Sequence, residues 1–165
     1  MGIFSRPKRP EYKLQLTPIE LIVELAALAA ILLNIALEVV YWPTLPAQVQ
    51  LNASALGNTR MIFLFLTIIA AFVYACLSVM SLFPQLFNYP VEITAENAPR
   101  QYRHMANMMR SVKLEIMLAM LYIEWAFIQA GQGTLPEVSP LFIPALLVAL
   151  ALTMGYFLFQ MISQK

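Results

Sequence analysis

The chain has 165 residues, 61% of them hydrophobic and 12% charged, with a formal net charge of +1 and a mean hydropathy of +0.72. Such a composition excludes an ordinary soluble domain, and the near-neutral balance excludes a basic field for nucleic acid. Cys76 is the only cysteine and His104 the only histidine, so an intramolecular disulfide, a Cys/His metal cluster and a bis-His haem within one chain are excluded, and no metal or cofactor is expected.

Residues 1–16 are polar, basic and proline-bearing, which predicts a mobile or interfacial arm. The apolar run after them is too long for a cleavable signal peptide, and no small-residue cleavage site follows it. Thr17-Pro18-Ile19-Glu20 then opens a helix, with Thr17 as cap, Pro18 in the first position and Glu20 closing a capping box. The first span covers about 17–40, long enough to cross a hydrocarbon core of ~30 Å. It carries Glu20, Glu24, Asn34 and Glu38. At 100° per residue these four fall within about 80° of arc, a polar stripe that belongs against other helices or a wet cavity.

Residues 41–58 read as an extracytoplasmic loop, with Tyr41 and Trp42 in an aromatic belt, two prolines and a Leu56-Gly57-Asn58 turn. Asn52-Ala53-Ser54 matches a glycosylation sequon, a pattern too short to carry an assignment. The second span, 59–82, gathers Arg60, Thr67, Tyr74, Ser78 and Ser81 on one narrow face. With a 1.5 Å rise, Glu24 lies ~21 Å below Glu38 and Tyr74 ~21 Å below Arg60. Two antiparallel stripes thus match in depth, which predicts a Glu38–Arg60 ion pair and a Glu24–Tyr74 hydrogen bond.

Pro84 ends the second span, and Thr94 or Asn97 caps a new helix. Over 97–110, Arg100, Arg103, His104, Asn107 and Arg110 fall on one side and Tyr102, Met105, Met108 and Met109 on the other, an amphipathic helix for the cytosolic membrane surface. Lys113 extends that basic face. The third span, about 111–131, holds Glu124 near mid-membrane, on a face with Arg110, Lys113, Met117 and Met120. A carboxyl there is protonated, paired or wet. Ser139-Pro140 starts the fourth span, about 140–162, where Thr153, Tyr156 and Gln160 share a face and Ala149 and Gly155 offer small packing positions. Nine of ten basic residues fall in the arm, the middle segment and the tail, so the positive-inside rule puts both termini in the cytosol.

Two stretches resemble a known family. Pro43, Leu45, Pro46, Val49 and Gly57 match the loop P-x-L-P-x-x-(I/V)-P-x-H-x-N-x-x-G that follows the first membrane helix in the domain-of-unknown-function 1648 family. Gln50 stands at that loop's later proline, Asn52 at its histidine and Ser54 at its asparagine, so any loop function needing imidazole is lost. Residues 87–98, with Arg100, Gln101, Tyr102 and Arg103, are similar to the cytosolic segment of short members. The resemblance implies a small bacterial inner-membrane protein, related to immunity proteins against a sporulation-delay toxin that also relay a signal to a repressor. It implies a fold more than an activity.

The expected fold is an all-α four-helix transmembrane bundle, a single domain over 1–165, with a cytosolic amphipathic helix between the second and third spans. No Ser/His/Asp set, Gly-rich phosphate loop or ligand cluster marks an enzyme. Three functions compete: a non-enzymatic partner-binding or immunity-type protein, an accessory subunit of a larger membrane complex, and a proton-linked small-molecule transporter using Glu24, Glu38 and Glu124. The expected binding residues are the stripe Glu24, Asn34, Glu38, Arg60, Tyr74 and Glu124 and the basic face Arg100, Arg103, Arg110 and Lys113. The expected partners are the bilayer and another membrane protein or peptide, with no nucleic acid.

Overall fold

The computed structural model describes residues 12, 14–45, 48–52, 55–132 and 138–164, and at 48–52 and 55–57 it describes the backbone. The basic residues at 6, 8, 9, 13 and 165, with Pro46 of the loop match and Ala53 and Ser54 of the sequon, lie outside the described residues. Among the described residues four α-helices make the fold: α1 (Pro18–Tyr41), α2 (Thr59–Leu82), α3 (Ala98–Gly131) and α4 (Phe142–Ser163). Among the described residues three segments are long and apolar enough to cross a membrane: Pro18–Thr44, Thr59–Leu82 and Phe142–Ser163. This is a membrane protein.

α1 begins as its sequence dictates. Glu20 N donates to Thr17 Oγ1 at 3.3 Å, and Thr17 N donates to Glu20 Oε2 at 2.8 Å, so the capping box forms. α2 takes the expected bounds, with Asn58 Oδ1 accepting from Met61 N at 3.2 Å. Between them, the described residues of 41–58 form a short helical turn and two strands where a loop is expected. A 3₁₀ turn (Trp42–Thr44) leads into an antiparallel hairpin of β1 (Gln48–Asn52) and β2 (Ala55–Asn58), with Val49 opposite Gly57 and a register shift between Gln50 and Asn52. The expected Leu56-Gly57-Asn58 turn is therefore strand.

The larger departure is α3. The separate amphipathic helix expected near 97–110 and the span expected at 111–131 are one 34-residue helix, ~51 Å long at 1.5 Å per residue. Asn97 precedes it, but its side chain turns away from the helix, accepting from Thr94 N at 2.9 Å and donating to Glu92 O at 2.9 Å. The methionine face of the first half does not lie on a membrane surface. Met105 and Met108 are buried with Met161 of α4, and Phe87, Tyr89 and Phe157 pack around them. Gln101 seals the same end, donating to Met161 O at 3.0 Å and Gln164 O at 3.1 Å.

α3 is the central helix: α1, α2 and α4 all pack on it, and α1 and α2 also touch each other. Glu24 meets Lys113 while Tyr41 meets Ile128, so α1 and α3 run parallel. α2 and α4 run antiparallel to them, since Ser78 reaches Lys113 and Gln101 reaches Met161. Buried alanines let the backbones close up: Ala27 and Ala30 on α1, Ala70 on α2, Ala106, Ala119 and Ala126 on α3. Gly155 is different. A Cβ there would meet nothing within 4 Å, so it is no packing position inside the bundle.

Candidate functional site

Near the start of α1, charge is concentrated inside the bundle. The face of α3 that carries Arg110 and Lys113 turns toward α1 and brings them to Glu20 and Glu24. Lys113 Nζ donates to Glu24 Oε2 and, at 3.1 Å, to Ser78 Oγ of α2. Arg110 Nε lies 3.3 Å from Glu24 Oε1, and its Nη1 lies 4.0 Å from Glu20 Oε1 while donating to Asn107 Oδ1 at 2.7 Å. Arg103 Nε stands 3.6 Å from Glu20 Oε1, and its Nη2 donates to Gln15 O at 3.2 Å. Three cations thus face two carboxylates. Lys113 has 0% of its surface exposed and Arg110 5%. Burying such groups costs several kcal/mol per ion, and only mutual pairing offsets it. Arg103 remains partly exposed and Arg100 exposed, so the predicted basic face divides into a buried half and a solvated half.

The two predicted contacts between α1 and α2 do not form. Among the described residues no ion pair joins Glu38 to Arg60; Glu38 is buried, and Arg60 lies over the Trp42 ring at 5.7 Å from its centroid. Glu24 does not bond Tyr74 directly. Lys113 comes between them, its ammonium 5.0 Å from the centroid of the Tyr74 ring. The depth match held, but the cation came from the third helix. A signal for it was present, because Arg110, Lys113, Met117 and Glu124 recur at helical spacing on one face of α3.

Above the ion network an apolar cluster of Ala30, Ile31, Ala70 and Met117 crosses the bundle. Farther up comes a second, of Leu45, Phe63 and Ile128 with Leu37, Tyr41 and Phe127. Asn34 and Glu124 sit in the interval between the two, 2% and 1% exposed. Neither meets lipid, as their stripe predicts. Asn34 Oδ1 and both Glu124 oxygens have no hydrogen-bond partner among the described residues.

A cleft of about 510 Å³ opens between α1 and α4, floored by α3. Val23, Leu152 and Tyr156 line its walls, with Ser111, Glu115 and Thr153 among them. Thr153 Oγ1 donates to Glu115 Oε1, while Glu115 Oε2 is buried without a partner among the described residues. The predicted face of α4 is thus partly used, since Gln160 Nε2 also donates to Tyr156 OH at 3.2 Å. His104 is half-buried, with its Nε2 3.0 Å from Gln164 Oε1.

Comparison with protein-family models, with curated proteins and with solved structures finds no match for this chain. The likeness of 41–57 and 87–103 to the family named above stays a resemblance, and no family is assigned.

Proposed function

We propose that the chain is a non-enzymatic, multi-pass protein of a bacterial inner membrane that binds a transmembrane segment of a partner protein in the cleft between α1 and α4. One observation carries this reading: the cleft is a largely apolar groove with one carboxyl group, that of Glu115, in its lining. An acyl chain fills an apolar groove but brings no donor. A helix bearing Ser, Thr, Asn or Gln brings one, and such bonds between membrane helices are worth ~0.6–2 kcal/mol.

In this reading α3 is the fourth span. Its charged residues keep it from an apolar profile, yet α2 ends at one end of the bundle and α4, antiparallel to α3, starts toward the other. If α1, α2 and α4 cross, the chain between α2 and α4 crosses too. The positive-inside rule places Arg100, Arg103, Arg110, Lys113 and both termini in the cytosol and the hairpin outside. An accessory subunit would use the same cleft, with a permanent partner.

A photo-crosslinking residue at Leu152, on the cleft, tests the reading against one at Val79, on the exposed face of α2. We expect a protein adduct from Leu152 in intact cells, weakened by Glu115→Leu, and only lipid adducts from Val79. Lipid adducts alone at both positions would contradict it.

A further inference from the structure

The interval between the two apolar clusters has a composition of its own. On α1, Asn34 lies between Ile31 and Leu37; on α2, Thr67 lies between Phe63 and Ala70; on α3, Glu124 lies between Met120 and Phe127. All three helices therefore put a polar residue into one layer, closed by apolar side chains above and below. Its oxygens lack donors: Asn34 Oδ1, Thr67 Oγ1 and Glu124 Oε1 and Oε2 are buried with no hydrogen-bond partner among the described residues.

A carboxylate in such a place is costly, because no described side chain donates to it. The charged groups around it offer no relief. From α1, Glu38 is the next buried polar residue toward the hairpin end, four residues beyond Asn34 on the same stripe, and a second carboxyl brings no compensating charge. α2 supplies Arg60 alone, which is exposed and stacked over Trp42. α4 has no Asp, Glu, Lys, Arg or His between Phe142 and Ser163, and its Tyr156 is held by Gln160. On α3, Lys113 is bound to Glu24 and Glu115 to Thr153. Of the phenols nearby, Tyr41 packs in the upper cluster, Tyr74 in the lower one, and Tyr122 stacks on Phe142 with centroids 4.5 Å apart. Cys76 lies below the lower cluster in sequence order on α2. Among the described residues no cation reaches the layer, so a proton is what it lacks. A proton on Glu124 removes the charge and creates an O–H donor for an adjacent acceptor.

We propose that Glu124 is an intramembrane proton-binding site that exchanges with water through Glu38, from the hairpin end of the bundle. Glu38 is one helical turn from the end of α1, and the cluster of Ala30, Ile31, Ala70 and Met117 closes the other side. Glu38 takes a proton from water at the hairpin end; its O–H bond then breaks as one forms at Glu124, which leaves Glu38 a carboxylate again, and nothing is oxidised. The site is independent of the α1–α4 cleft.

Infrared difference spectroscopy of the protein in lipid vesicles, titrated in H₂O and D₂O, tests it. The wild type is expected to show at neutral pH the carbonyl stretch of a protonated carboxylic acid, shifted by D₂O. Glu124→Gln loses that band, Glu24→Gln and Glu115→Gln keep it, and Glu38→Gln slows its deuterium exchange. The wild-type titration needs no variant to fold: absence of any protonated-acid band at neutral pH overturns the proposal. So does a band that survives Glu124→Gln, an exchange rate unchanged by Glu38→Gln, or a band abolished by added Na⁺ at constant pH, which would assign the layer to a metal cation.

Discussion

Lys113 sits in the middle of a 34-residue helix with none of its surface exposed, and its ammonium is held by a carboxylate, a hydroxyl and an aromatic face. Removing one member of a buried pair leaves an uncompensated charge, so Lys113→Met is expected to destabilise the fold by about 3 kcal/mol, the lower end of such losses because Arg110 still reaches Glu24. Glu24→Gln added to it restores part of that loss. Reversible unfolding in mixed micelles measures both, and strict additivity of the two changes would contradict the pairing. Arg60, exposed over Trp42, belongs to the weak class: Arg60→Gln is expected to cost only about 0.5–1 kcal/mol. A loss several times larger would restore the ion pair with Glu38. At this scale the sequence was half legible. Helical rise placed Glu24 and Tyr74 at one depth, and wheel positions turned Asn34 and Glu124 inward. Nothing in two wheels says that a third helix supplies the cation, because a lysine reaches across the space that the pair would have closed.

α3 shows where an element resists reading. Polar character falls away between Arg110 and Met117, and that change in composition suggests a surface helix followed by a span. Backbone hydrogen bonding ignores it, and no proline or glycine interrupts 100–130. Ser111→Pro separates the two descriptions. In one continuous helix it costs about 3 kcal/mol or more, read as a lowered melting temperature and lost helicity; at the first turn of a separate span it would be tolerated. The hairpin was hidden for another reason: QVQLN and ALGN are short, and their alternation is weak beside a glycine. The ends of α1 and α2 were readable because Thr17 and Asn58 cap them with their own side chains.

At the scale of the whole molecule, three apolar helices surround one helix that is too polar to face lipid on all sides. Polar groups that lipid would penalise are collected on the central axis in two tiers, an ion network and a donor-poor layer, with an apolar cluster between them. The hydropathy of α1, α2 and α4 was plain in the sequence; the packing order was not, since pairing information lies in long-range contacts. Lipid accessibility along α3 tests this arrangement most directly. Single cysteines are placed on α3 in a Cys76→Ser background and exposed in vesicles to a membrane-soluble thiol reagent. Leu118→Cys and Trp125→Cys, on the outward strip, are expected to react, while Met117→Cys, Ala126→Cys and Ile128→Cys stay silent. Equal reaction at all five positions, or silence at Leu118 and Trp125 with reaction at Met117, would contradict a central α3.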